Sequence, residues 1–371
     1  MKLYPLLTLI LLLPLLMGIA PDVQYLGISK YWNNKDFAVV IRVDDIVSKD
    51  GVWEPYTPKK SFTVFSGEII TYLESKYPWL KLSLSVVTNP PLGIMSTEPT
   101  NWMWIKHLLE KGHEIGSHSV THLPKEMWSD PRVRDPSEII DSVKHIVGNL
   151  SIYPEFYAVP GSYVTPTDVT VPYEIGIKTV WTYSKSQLYT DPDPYNWNFT
   201  YIDFAYLLNR RTLNTYDLFL HDMWRAGGAC LFLTHLHTYD FDNSEQIKDV
   251  FNHIAQYIET HNGWSATISE LRRYIELSRN IEISEKHIQH LYITRHIYIV
   301  RKKIDVESPI TLMFRAPPNS IVLKDGKPLM PNFNKYHSIN GREGYFYKHG
   351  KLYITIYPPA KIEIIVLRLN K

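Results

Sequence analysis

From residue 37 to about residue 279, short β-rich runs alternate with amphipathic helical stretches, and this alternation leaves few folds open to the chain. Runs at 37–43, 82–87, 114–118, 156–159, 178–182 and 229–234 are apolar and short enough to be buried strands. Between them, residues 67–76, 102–111, 137–147 and 245–260 place apolar side chains at three- and four-residue steps, and Pro136 precedes the third as a helix start signal. Strand and helix in regular succession predict a parallel α/β fold or barrel.

Past residue 281 the helical periodicity ends. Segments 291–300, 310–314, 352–357 and 362–367 read as strands, with turn signals at Lys324-Asp325-Gly326 and Lys348-His349-Gly350. This texture predicts a separate, small all-β domain of sandwich type over 281–371, following an α/β domain over 21–280. Tyr345, Phe346, Tyr347 and Tyr353 lie near one another there, and strand alternation assigns some of them to the core.

Lys2 and the apolar run 3–20 read as a secretory signal or an uncleaved signal anchor. Gly18 and Ala20 suit a signal peptidase whereas Pro21 does not, so both forms stand. The expectation is an exported protein, extracellular or at the cell surface, with membrane attachment through 3–20 if that segment is kept. Sequons at Asn149-Leu150-Ser151 and Asn198-Phe199-Thr200 agree with export. Cys230 is the only cysteine, so no intrachain disulfide holds the fold. With 39 basic and 38 acidic residues the chain carries no field to recruit nucleic acid, and its partner must be met at a local site. The 26 Tyr and 10 Trp suit stacking on sugar rings as well as core packing.

The first chemical signal is Val43-Asp44-Asp45, two carboxylates directly after a buried strand, at the end where α/β barrels carry their chemistry. The second is the run His113-Glu114-Ile115-Gly116-Ser117-His118-Ser119-Val120-Thr121-His122, which sets two imidazoles four residues apart after another strand. One helical turn would bring both to one side. Asp45, His118 and His122 then supply one carboxylate and two imidazoles, a set that suits a cation such as zinc and leaves positions for water and substrate.

These segments resemble the polysaccharide deacetylase, or NodB-homology, family of carbohydrate esterases over roughly residues 37 to 279. The resemblance implies a distorted (β/α) barrel that removes N- or O-acetyl groups from sugars with a divalent metal, commonly Zn2+. Asp44 matches the family's catalytic base and Asp45 its ligand. His118-Ser119-Val120-Thr121-His122 matches the His-Ser/Thr-x-x-His motif in full. Leu233-Thr234-His235 matches a late Leu-x-His motif, making His235 the general acid, with His237 a competing choice or a substrate contact.

Two motifs depart from the pattern. Arg-x-Pro-aromatic-Gly aligns with Ala158-Val159-Pro160-Gly161-Ser162, so the Arg that pairs with the base is absent at Ala158. A backbone N–H at Gly161 still suits an oxyanion, and Tyr163 stands near the lost aromatic. The motif supplying an Asp and a Trp to orient the acid aligns with Trp181-Thr182-Tyr183-Ser184, where Trp181 is present as a substrate-contact candidate and the acid is missing. The expected function is metal-dependent removal of acetyl groups, N-acetyl first, from a polysaccharide or surface glycan. Two rivals are a catalytically silent carbohydrate-binding homologue and an amidohydrolase of related fold acting on another substrate. The oligomeric state is left open.

Overall fold

The computed structural model describes residues 23–53, 61–92, 96–123, 130, 132–162, 164–182, 201–202, 206–290, 293–331, 337–339 and 341–367. The apolar segment 3–20, Tyr163 and the Asn198 sequon lie outside the described residues. No helix among the described residues is long and apolar enough to cross a membrane. The chain forms two units, one of Lys35–Arg272 and one that takes the residues up to Asn34 together with Arg273 onward.

Strand β1 (Gln24–Ile28) belongs to the smaller unit. In the larger unit β2 (Phe37–Ile46), β3 (Ser83–Val86), β4 (Glu114–Ser117), β5 (Phe156–Ala158), β6 (Thr179–Trp181), β7 (Tyr201–Ile202), β8 (Tyr206–Leu207), β9 (Ala229–His235) and β10 (Gly263–Ala266) form one sheet in the order β8-β9-β2-β3-β4-β5-β6-β7. Every pairing is parallel. The sheet curls as a half-barrel whose ladder, among the described residues, does not close. Strand β9 runs along one edge of β2 from Ala38 to Asp44, so β10 and β3 divide the other edge: β10 pairs Phe37 to Val40, β3 pairs Arg42 to Ile46.

Helices α1 (Ser66–Lys76), α2 (Trp102–Glu110), α3 (Pro136–Leu150), α4 (Pro166–Glu174), α5 (Leu213–Ala226), α6 (Ser244–Thr260) and α7 (Ile268–Arg279) connect the strands. Their starts follow local chemistry. Asp135 caps α3 through Ser137 N–H with Pro136 in the first turn, Asn243 caps α6 through Gln246 N–H, and Thr165 with Asp168 closes a capping box on α4. The apolar stripes of α1, α2 and α6 pack with β2, β3 and β9 in one core. In β4, Gly116 has no side chain because a Cβ there would run into the buried ring of Phe156 on β5.

The smaller unit continues with β11 (Ile281–Gln289), β12 (Ile293–Lys302), β13 (Ile310–Arg315), β14 (Ile321–Lys324), β15 (Lys327–Pro328), β16 (Gly344–Lys348), β17 (Lys351–Ile356) and β18 (Ala360–Leu367). They make two antiparallel sheets, β1-β13-β17-β16 and β11-β12-β18-β14-β15. Leu312, Phe314 and Ile354 from the first sheet share a core with Tyr298, Val322 and Ile364 from the second, as a sandwich requires. Sequence pattern grouped residues 21–34 with the α/β domain. The structure instead pairs Gln24 with Arg315 and Ile28 with Leu312, which puts that segment in the β unit.

His113, between α2 and β4, is a buried structural histidine: its Nδ1 accepts the Leu82 N–H at 3.2 Å. Burial, with Lys81 and His107 nearby, pushes its pKa down to about 3. The folded chain therefore keeps the ring neutral where the unfolded chain, with an ordinary imidazole near 6.5, takes up a proton. Stability is predicted to fall as pH drops from about 6.5 towards 3, by at most about 1.4 kcal/mol per pH unit from this group. Urea unfolding between about pH 4 and 6 is expected to give a shallower slope for His113→Asn, and equal slopes would exclude His113 as the source.

Candidate metal centre and active site

Strand alternation turns Arg42 and Asp44 to the same face at the C-terminal end of β2. Both are buried, at 1% and 4% exposure. Arg42 Nε donates to Asp44 Oδ1 at 2.6 Å and its Nη2 to Asp44 Oδ2, making a two-point pair. A further donor, Nη1, reaches Trp181 O at 2.9 Å, and the guanidinium lies 5.2 Å from the Trp181 ring centre. Ser85 Oγ adds a hydrogen bond to Asp44 Oδ1 at 2.5 Å. Burial alone would raise the Asp44 pKa, but Arg42, with His118 and His235, outweighs it and holds the carboxyl at about 2.

Asp45 adopts a left-handed backbone, φ 61°, which turns its carboxylate out of the strand repeat. Its Oδ1 lies 3.4 Å from His118 Nε2 and 3.3 Å from His122 Nε2. One donor atom from each of the three residues lies within 4.8 Å of the others, so Asp45, His118 and His122 form a group able to hold a metal ion. The fit goes beyond proximity. His118 Nδ1 sits 2.9 Å from Ala158 O, and since a carbonyl only accepts, the ring proton is on Nδ1 and the Nε2 lone pair faces Asp45. Asp45 Oδ1 is buried without a hydrogen-bond partner, an expensive state for a carboxylate that a cation relieves. Burial also depresses His122 to about 4, leaving a neutral imidazole with a lone pair to give. Ligands about 2.0–2.1 Å from a tetrahedral ion lie roughly 3.3 Å apart, close to the spacings seen.

The two histidines meet through a turn and not the helical turn expected from their spacing. Ser119 and His122 are both left-handed, at φ 68° and 56°. Ser119 Oγ accepts the His122 N–H at 3.0 Å, while Glu138 in the first turn of α3 receives Thr121 N–H at 2.9 Å and Thr121 Oγ1 at 2.7 Å. The intervening hydroxyls therefore hold the loop that aims the rings.

His235, at the end of β9, pairs in register with Asp44. Its Nδ1 lies 2.7 Å from Asp240 Oδ2, the same oxygen that accepts the His235 backbone N–H, and its Nε2 is 3.8 Å from Asp45 Oδ2. Burial works against its charge, but Asp240, with Asp45 and Asp44, raises His235 to about 9.

Two sequence expectations change. His237 is 4% exposed and stacks on Phe62 with centroids 5.6 Å apart. Its Nδ1 accepts the Tyr239 N–H at 3.3 Å, which leaves Nε2–H pointing at Asp45 Oδ2, 3.3 Å away. It is buried and turned to the Asp45 carboxylate. Trp181 is fully buried beside Arg42, so its ring too lies beneath the site. Gly161 is exposed in the turn Pro160–Ser162 with φ 65°, a conformation that favours glycine. That turn is fixed by buried Arg134, which donates to Pro160 O at 3.2 Å and to Asp168 Oδ1 at 2.6 Å.

Sequence reasoning missed Arg42 and Asp240. The Arg sought at Ala158 sits two residues before Asp44, where a lone cation inside an apolar strand was the available signal. The acid sought after Trp181 sits five residues past His235, in the turn after β9.

No family model matches the chain, and no curated protein matches it. Among solved structures it is similar to a putative polysaccharide deacetylase from Mycobacterium smegmatis, at 13% identity over 70% of this chain and 95% of that one, TM-score 0.45. It is also similar to a family 4 carbohydrate esterase from Streptomyces lividans, solved with acetate, at 14% identity over 63% and 93%, TM-score 0.40. A CE4 family pseudoenzyme matches at 14% identity over 65% and 68%, TM-score 0.37. In its paired aspartates and its His-Ser-x-x-His turn the chain resembles the polysaccharide deacetylases, while Arg42 from β2 and Asp240 from the turn after β9 are the groups that pair with Asp44 and His235.

Proposed function

We propose that this chain is a metal-dependent deacetylase that hydrolyses acetyl groups, N-acetyl in the first place, from a polysaccharide or surface glycan. The observation that carries this reading is the double partnering of Asp44 by Arg42 and of His235 by Asp240. Binding a metal requires neither pair. A base beside a cation and an acid beside a carboxylate are what hydrolysis requires.

A divalent cation held by Asp45, His118 and His122, with zinc the choice that the donor set favours, supplies Lewis-acid polarisation of the acyl carbonyl and of water. Asp44, kept ionised by Arg42, accepts the proton of the attacking water. Because Arg42 lowers its basicity, Asp44 is a weak base that relies on position more than on proton affinity. The Gly161 N–H donates to the developing oxyanion. His235 is protonated at neutral pH, its Nδ1–H donating to Asp240, and gives its Nε2 proton to the leaving amine as the C–N bond breaks. The products are acetate and the free amine. Export through residues 3–20, and a site at the cell surface, belong to the same proposal.

Acetate release from a panel of acetylated glycans and small acetamides tests the reading. The unaltered chain loaded with Zn2+ is expected to release acetate, while Asp44→Asn and His118→Ala do not. Asp240→Asn is expected to lower kcat by about 10²–10⁴ and to move the alkaline limb of the pH profile to lower pH, because the carboxylate that raises His235 is gone. Stoichiometric metal at this site with no acetate from any glycan or acetamide would support the silent binding homologue. Release from small acetamides alone would support the related amidohydrolase. His237→Ala is expected to weaken metal binding about 10–100-fold in a chelator competition, through the lost hydrogen bond to Asp45. Unchanged affinity would remove His237 from the site.

A further inference from the structure

A second cluster of metal-ligating side chains lies in the smaller unit and shares no residue with the proposed chemistry. Strands β11 and β12 pair antiparallel with His287 directly opposite His296, so both rings leave the same face of the sheet. Glu285, two residues before His287 on β11, shares that face. The imidazoles meet edge to face, with ring centroids 4.7 Å apart and planes at 85°. Their Nδ1 atoms are 2.7 Å apart, and Glu285 Oε1 lies 3.2 Å from His287 Nε2. One donor atom from each of the three residues lies within 4.8 Å of the other two.

We propose that Glu285, His287 and His296 form a second divalent-cation site that clips the edge strand β11 to β12. Two imidazoles and one carboxylate select zinc, nickel or copper over calcium or magnesium, which prefer all-oxygen cages. The two Nδ1 atoms already converge, and donors on a tetrahedral ion sit roughly 3.3 Å apart, so a small outward rotation of the rings admits the ion. Glu285 faces Nε2 of His287 and joins the ion by rotating about its own side-chain bonds. It has that freedom, since the Glu285 and His287 side chains are 36% and 52% exposed, while His296, 1% exposed, forms the floor. The open side is left to water.

The fold gives such a clip a purpose. Strand β11 ends its sheet, and six of its nine residues are exposed, with none fully buried. An edge held by backbone hydrogen bonds and little apolar burial frays readily, and a cation bound only when the strands are paired stabilises the paired form. Without an ion, the same 2.7 Å contact is an N–H to N hydrogen bond between the two rings, and the experiment separates the two.

The full chain, stripped with chelator, is titrated with Zn2+ and the bound metal counted after dialysis for the unaltered protein, His118→Ala, His287→Ala and the double variant. His287 is exposed and its replacement leaves the core untouched, with Glu285→Gln as a second, gentler variant. The expected result is about two equivalents for the unaltered chain, about one for either single variant and none for the double variant, with acetate release by His287→Ala unchanged. Glu285→Gln is expected to weaken the second equivalent about 10-fold or more. A single equivalent that His118→Ala abolishes and His287→Ala leaves alone would overturn the proposal, as would a second equivalent that survives His287→Ala. A single equivalent lost only in His287→Ala would uphold it while removing the metal from the proposed active site.

Discussion

The buried pairing of Arg42 with Asp44 is the contact on which the larger unit's site depends. Two opposite charges lie side by side under the end of a parallel sheet, and neither has water to fall back on. Removing one partner of such a pair costs about 3–5 kcal/mol, because the other is left charged and uncompensated. Here the pair is also embedded sideways. Ser85 on β3 reaches Asp44, and the Trp181 carbonyl and ring on β6 receive Arg42. The guanidinium thus spans the sheet from β2 to β6 and sets where the carboxylate can be. Asp240 plays the matching part for His235, accepting from both its ring and its backbone.

Much of this was legible in the sequence because the informative residues are contiguous. Asp44 and Asp45 follow an apolar run, His118 and His122 follow another, and the strands and capped helices around them are short and regular. What escaped was chemistry supplied from a distance or from an unexpected neighbour. Arg42 hid inside a run read for its apolar character, and a motif search looked for its charge at Ala158. Asp240 lies in a turn whose closure back onto His235 no periodicity reports. Helix α4 was missed because Pro172 interrupts it, and its capping box is clear only once Thr165 and Asp168 are seen to bond. The segment holding β1 was grouped with the wrong unit because a short strand's pattern says nothing of which strand it will join.

The backbone adds a second level of order to the candidate metal centre. Asp45, Ser119 and His122 all sit in the left-handed region, where side chains other than glycine are disfavoured. The Ser119 hydroxyl accepting the His122 amide, and Glu138 accepting from Thr121, hold the turn that carries two of them, while His237 Nε2 meets the Asp45 carboxylate. The candidate ligands are thus aimed by the polypeptide itself, so that holding an ion would not require the energy to arrange them.

The divided edge of β2 has a consequence for the order in which the molecule can be made. Strand β2 is the first of the larger unit to leave the ribosome, yet it is sandwiched between β9 and β10, which come from the far end of that unit's sequence. The smaller unit repeats the pattern, since β1 waits for β13. Along the chain the larger unit is an insertion within the smaller one, so a nascent chain holds two unsatisfied strands in reserve while everything between them is synthesised. Such a molecule gains little from folding as it emerges and is well suited to being kept extended until its last strands are available.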